Sequence, residues 1–122
     1  MGRNQVVGAA GELAAARYLT RIGYVLLDRN WRYRDAQFRG ELDIVARDGN
    51  IVVFCEVKTR KTLVCGTPPE AIVPAKARRI RGLGLAWLRD SGLCPRQIRF
   101  DVIGIWLHRS GSAHLDHIRA AF

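Results

Sequence analysis

Asp48-Gly49-Asn50 stands between two apolar-laced runs, Glu41 to Arg47 and Ile51 to Lys58. Asp-Gly between such runs is among the strongest local signals for a β-hairpin. The hairpin decides which side chains can meet. With Asp48-Gly49 as a two-residue turn, Asp43 faces Phe54 and Glu41 faces Glu56. With Gly49-Asn50 as the turn, Asp43 faces Glu56 and Glu41 faces Lys58. In either register Asp43, Glu41, Glu56 and Lys58 share one face, with Asp43 and Glu56 opposed or diagonal. Such neighbours have Cβ atoms roughly 4.5–8 Å apart, and only a turn of odd length separates them.

Alternation along the second strand puts Val52, Phe54, Glu56 and Lys58 on one side and Ile51, Val53, Cys55 and Val57 on the other. Both sides begin apolar, so Glu56 and Lys58 emerge at the end of a buried face. Carboxylates crowded on such a face repel one another. A cation between them removes the repulsion, and oxygen ligands of this kind suit Mg²⁺ or Mn²⁺. The competing interpretation is a solvated sheet face carrying cross-strand ion pairs.

An Ala- and Leu-rich helix is expected over roughly residues 8–22, with Gly23 where a C-terminal cap belongs. At 100° per residue, Ala9, Ala15, Ala16 and Leu19 lie on the same side as Glu12, with Arg17 and Arg21 opposite. Glu12 therefore sits on the inward face, where a lone carboxylate is costly unless paired or metal-bound. It is a candidate further acid for the same site, against the plainer role of partner to the helix dipole.

A strand from Tyr24 to Leu27 or slightly beyond precedes the basic, aromatic stretch Arg29-Asn30-Trp31-Arg32-Tyr33-Arg34. After the hairpin, Thr67-Pro68-Pro69-Glu70 reads as a capping box. A long helix follows from about Pro74 to Asp90, with Gly92 past its end. Gln97 to Leu107 is apolar enough for a central strand, and Ala113 to Ile118 suits a short edge strand. The order α-β-β-β-α-β, with one more strand, makes a single α/β domain over residues 1–122: a central mixed sheet flanked by helices.

Charge narrows the partners. Lys+Arg number 20 against 11 Asp+Glu, a formal net charge of +9. So basic a small domain meets a polyanion. No apolar run reaches the roughly 20 residues that span a bilayer, and the N-terminal stretch lacks a signal-peptide core. The expectation is a cytoplasmic protein with no membrane partner. Cys55, Cys65 and Cys94 form no C-x-x-C pair and read as reduced thiols. His114 and His117 point to opposite faces of any strand that holds them. Asp101, inside an apolar strand, reads as half of an ion pair with an arginine, and Glu70 as a helix cap.

Two basic segments remain, Arg29 to Arg39 and Lys76 to Arg81. Each reads as solvated surface or, with Trp31, Tyr33 and Phe38 interleaved in the first, as a surface for phosphates and stacked bases. Lys76 lies near the apolar edge of its helix beside Ile80, Leu83 and Trp87, where it can face the sheet and its acids.

Gly40-Glu41-Leu42-Asp43-Ile44-Val45 followed by Val53-Phe54-Cys55-Glu56-Val57-Lys58-Thr59-Arg60 resembles the PD-(D/E)xK nuclease pattern. The chain is most similar to the YraN family, uncharacterised bacterial proteins predicted to be endonucleases and similar to archaeal Holliday junction resolvases. The likeness extends over Gly11-Glu12, the hairpin, Thr67 to Ala71, the Lys76 helix and Arg99-Phe100-Asp101-Val102. It implies a restriction-endonuclease-like αβββαβ core. Asp43 and Glu56 would be its metal-binding acids, Lys58 the lysine of its tripeptide, and Glu12 the helix acid of resolvase-like members. No proline precedes Asp43, a departure from the pattern.

The resulting expectation is a Mg²⁺- or Mn²⁺-dependent endonuclease hydrolysing phosphodiester bonds in DNA, branched or single-stranded substrates included. Asp43, Glu56 and Lys58 would be catalytic, Asp43, Glu56 and Glu12 would hold metal, and Glu41 would support them. Arg60, Lys61, Lys76, Arg79, Arg32 and Arg34 would hold nucleic acid. A homodimer fits a reaction that cuts two strands. The alternative is a non-catalytic nucleic-acid-binding module that keeps the nuclease fold.

Overall fold

The computed structural model describes residues 3–37, 39–61, 73–108 and 110–122. Two helices and five strands follow in the order α1 (Arg3–Arg21), β1 (Val25–Arg34), β2 (Arg39–Asp48), β3 (Ile51–Lys61), α2 (Pro74–Ser91), β4 (Gln97–Leu107) and β5 (Ala113–Ile118). The strands form one sheet in the order β1-β2-β3-β4-β5, antiparallel except for the parallel pair β3–β4. A parallel pair needs a crossover, and α2 supplies it.

Each helix covers one face. Ala15, Ala16 and Leu19 of α1 pack on Ile44, Ala46, Val53, Cys55, Ile103 and Ile105. Ile80, Leu83 and Trp87 of α2 pack on Val45, Val52, Phe54 and Phe100. The alternation expected for β3 is thus realised: Val53 and Cys55 face α1, and Val52 and Phe54 face α2. Buried on both sides, β3 is the spine of the sheet. The mixed α/β architecture expected from the sequence is present and is consistent with a restriction-endonuclease-like core.

Close approach fixes both helices. A Cβ on Gly11 would sit 1.7 Å from Oγ1 of Thr59, so α1 crosses β3 backbone-to-side-chain at that point. Gly84 lets α2 settle on Phe54 and Phe100, whose rings lie 3.2 Å from where its Cβ would be. A glycine inside a helix carries a penalty of about 1 kcal/mol; here the packing gained offsets it. Gly92 (φ 72°) caps α2 in the left-handed conformation and donates its N–H to the Leu88 carbonyl.

Several boundaries differ from the expectation. Helix α1 starts at Arg3, well before residue 8. Ala9, assigned to the inward face, is exposed because it lies before the Gly11 crossing. Strand β1 runs through the whole basic stretch to Arg34, where alternation packs Trp31 and Tyr33 against the α2 core and leaves Arg32 and Arg34 outside. Strand β3 extends to Lys61. The Thr67–Glu70 capping box, Phe38 and Cys65 lie outside the described residues, as does the side chain of Lys61. Cys55 and Cys94 are free thiols, buried and exposed respectively.

Asp101 has the arginine partner that was expected, and more. It is 0% exposed and accepts bonds from Arg99 Nε (2.8 Å) and the Ala120 amide (3.0 Å), and lies 2.7 Å from His117 Nε2. Nδ1 of that ring meets the Tyr18 hydroxyl at 2.9 Å. This network ties the β4–β5 edge to α1. His114 points the other way, to Asp116 at the surface.

Candidate functional site

The hairpin turn is Gly49-Asn50, with Asp48 paired to Ile51 and Gly49 at φ 59°. A positive φ at the first central residue is the type II′ requirement. Of the two registers open in the sequence, this is the one that sets Asp43 against Glu56. The paired residues of β2 and β3 run only from Asp48–Ile51 to Ile44–Cys55. Beyond that point β2 stays with β1 as far as Arg39–Arg34, and β3 stays with β4 as far as Lys61–Leu107. The two central strands therefore part, and Asp43 and Glu56 stand at the fork.

At the fork, the Val57 N–H donates to Oδ2 of Asp43 at 2.8 Å. Leu42 and Ile44, two apart on β2, pack into opposite cores, so the alternation slips at Asp43. The same place is irregular in β1: the register shifts between Leu26 and Asp28, and Asn30 takes a left-handed φ of 52°. A non-glycine residue in that region inside a strand is uncommon and stores strain.

The Asn30 amide explains why the strain is kept. Oriented with its NH₂ towards the acids, it donates to Glu12 Oε2 at 2.7 Å and Glu41 Oε1 at 3.2 Å. Glu41 is also 3.7 Å from Arg32 Nε. Glu12, placed inward by the helix periodicity, thus reaches the β1–β2 side of the fork. On the other helix, Lys76 Nζ lies 2.8 Å from Glu56 Oε1, where its position on the apolar edge of α2 allowed. Lys58 follows two residues after Glu56 and is half-buried.

Electrostatics couples the acids. Burial pushes the Asp43 carboxyl up to about 8, with the Glu56 charge and then Glu12 adding to it against the Val57 hydrogen bond. A side-chain hydrogen bond with Glu56 raises the Asp43 carboxyl further. The Glu12 carboxyl is raised too, by burial first and then by Glu41, with Arg29 opposing and Glu56 adding. Oxygen donors that resist ionising together are the chemistry a hard divalent cation relieves. The donor set at the fork fits Mg²⁺ or Mn²⁺ in that sense. Among the described residues, however, no three His, Cys, Asp or Glu side chains are gathered tightly enough to hold a metal ion.

Beside the fork lies an open groove of about 880 Å³ lined by Arg32, Arg34, Arg39, Arg79, Tyr33 and Glu41. Four guanidiniums along one groove attract phosphates. Arg32, Arg34 and Arg79 were singled out by the sequence; Arg39, the end of the basic segment, joins them because β1 and β2 pair Arg34 with Arg39. Arg60 is on β3, half-buried, and does not line this groove. Asn30 is the site residue that sequence reasoning missed. No local signal marks a left-handed asparagine inside an alternating strand, although Asn is the non-glycine residue that tolerates it best.

A model of the uncharacterised protein family UPF0102 matches residues 11–105, from the Gly11 crossing through most of β4. A UPF0102 protein of Nocardioides sp. is 49% identical over 94% of this chain and 90% of its own. One from Rhodococcus jostii is 47% identical over the full length of both chains. A third, from Geobacter sulfurreducens, is 45% identical over 98% of this chain and 90% of its own. No helix among the described residues is long and apolar enough to cross a membrane.

Proposed function

The chain belongs to the UPF0102 (YraN) family, and from that footing we propose that it is a metal-dependent endonuclease acting on DNA. One observation carries the reading: the β2–β3 ladder stops at Ile44–Cys55, and the carboxyls of Asp43 and Glu56 meet at the opening, with Glu12 reaching it from α1. A carboxyl pushed up to about 8, by burial first and then by the Glu56 charge, marks a place where acids are kept together at a cost in stability.

In this reading Asp43 and Glu56 hold Mg²⁺ or Mn²⁺, and Glu12 is a further ligand, direct or through water. The cation, when bound, acidifies water and shields the charge of the scissile phosphate. Lys58 positions the attacking water and stabilises charge on the phosphate as the bond breaks. Asn30 fixes Glu12, and Glu41 supports it through that same amide. Arg32, Arg34, Arg39 and Arg79 lead the backbone of the nucleic acid to the fork along the open groove. A symmetric dimer presents two such forks to the two strands of a duplex or junction.

Incubation with branched, single-stranded and duplex DNA in Mg²⁺ or Mn²⁺ tests the proposal. Cleavage is expected, and is lost in Asp43→Ala and Glu56→Ala. Cleavage unchanged in both variants refutes the assignment.

A second reading has its own observation. Lys76 already neutralises Glu56 at 2.8 Å, as it would in a DNA-binding module that has given up its cation. That module binds DNA with strong salt dependence, with no effect of divalent ions beyond their screening.

A further inference from the structure

Lys76 and Glu56 form an unequal pair. The carboxylate is 11% exposed and the ammonium-bearing side chain 43%. A purely structural pair in this chain looks different: Arg99 and Asp101 are 16% and 0% exposed and joined by two hydrogen bonds. Lys76 brings a single point charge on a flexible stem to an almost buried acid. Such a cation is easily exchanged, because the ammonium can return to water while the carboxylate cannot.

The location gives the exchange a direction. Lys76 is the third residue of α2, and Arg79, one turn later, lines the arginine groove. Residues three apart share a helix face, so a lysine leaving Glu56 stays on the side where phosphates would run. Asp43 and Glu12 face the same opening, while Glu41 has Arg32 at 3.7 Å and Arg29 acts on Glu12, so Lys76 is the cation that meets Glu56 itself.

We propose that Lys76 is the resident counter-cation of the fork: its ammonium holds Glu56 while no divalent ion is present, and moves to a DNA phosphate when one takes that carboxylate. This rests on the reading of Asp43 and Glu56 as cation ligands. Cation loading and DNA binding are then coupled through one side chain, and the coupling is reciprocal. Lys76 acts as a positioning residue, and its contact with Glu56 is one end of the exchange.

Two measurements on the full-length protein test this. Calorimetric titration with Mn²⁺ compares wild type, Lys76→Ala and Asp43→Asn. Lys76→Ala is expected to bind about threefold to tenfold more tightly than wild type, the gain from removing a half-exposed competing ion pair, whereas Asp43→Asn binds weakly. The salt dependence of binding to a labelled four-way junction is then measured with and without Ca²⁺, which takes the same oxygen ligands. The ion is expected to steepen the log–log salt slope of wild type by about 0.9, one phosphate contact, and to leave the slope of Lys76→Ala unchanged. Equal Mn²⁺ Kd values in wild type and Lys76→Ala, or a slope in wild type that does not respond to the ion, overturn the proposal and leave the metal site standing. Mn²⁺ binding indifferent to Asp43→Asn, or absent from both wild type and Lys76→Ala, removes the metal site itself.

Discussion

Val57 donates its amide hydrogen to Oδ2 of Asp43 at 2.8 Å, so a side chain of β2 caps β3 just past the point where the two backbones stop pairing. The bond survives replacement of the carboxyl by a carboxamide, because Oδ1 of asparagine also accepts. The like charge does not survive it.

Asp43→Asn is therefore expected to stabilise the protein at neutral and alkaline pH. The folded-state carboxyl sits at about 8, above its ordinary value of 3.8. A raised value means that stability is complete below about pH 4 and is lost as pH climbs through about 8, because the unfolded chain releases its proton first. Denaturant unfolding of wild type should weaken between pH 5 and pH 8, and the variant should lack that decline. The gain at pH 8 is of order a few kcal/mol. A variant no more stable than wild type at pH 8 would show that the acids at the fork are not in conflict.

Asp101 carries the opposite sign. Burial would raise its carboxyl, but hydrogen bonds from His117, Arg99 and the Ala120 amide outweigh that and hold it below the ordinary value. Its contribution is present above pH about 4 and is lost as pH falls through the lower folded-state value. Asp101→Ala strands Arg99 and His117 and should cost about 3–5 kcal/mol, read as a lower denaturation midpoint at pH 7. Arg99 and Asp101 lie at the β4–β5 edge, so a Mn²⁺ affinity that also collapsed in folded Asp101→Ala would contradict a purely structural role.

Much of this was legible in the chain because period and spacing carry it. The hairpin, the inward Glu12 and the placement of Lys76 each follow from alternation or helix phase, and an arginine partner for Asp101 follows from an acid inside an apolar strand. The register was open by one residue, and the left-handed Gly49 decided it. What stayed hidden is where periodicity breaks. The bulge after Leu26, the left-handed Asn30 and the slip at Asp43 lie side by side in β1 and β2. Breaks of this kind are tertiary: they answer to Glu12 and Glu41, distant in sequence from Asn30 or on the neighbouring strand. The full reach of β1 was also missed, since Arg32 and Arg34 look like loop residues until Trp31 and Tyr33 are seen packing inward.

Gly11→Ala tests the crossing that delivers Glu12. The new methyl would overlap Oγ1 of Thr59 and lie 2.9 Å from its Cβ. Forced separation of α1 and β3 should cost about 1–3 kcal/mol or more and weaken divalent-ion binding by moving Glu12. Adding Thr59→Gly removes all three contacted atoms and should restore Mn²⁺ affinity even though glycine weakens the strand. Failure of the double variant to recover affinity would mean that the crossing does not position the site.

Asn30 separates conformation from chemistry. Glycine adopts φ 52° freely, whereas alanine there costs about 1–2 kcal/mol. Asn30→Gly should thus fold at least as well as Asn30→Ala, and both lose the amide shared by Glu12 and Glu41. Without that donor the two carboxyls face each other directly. The Glu12 carboxyl, already raised by burial and by Glu41, should then titrate higher still in both variants, followed by carboxyl-detected NMR. A Glu12 titration that shifts in Asn30→Ala but not in Asn30→Gly would trace the effect to backbone distortion and remove the amide from the account. A shift of similar size in both assigns the strained asparagine its role: its amide lets Glu12 and Glu41 stand side by side.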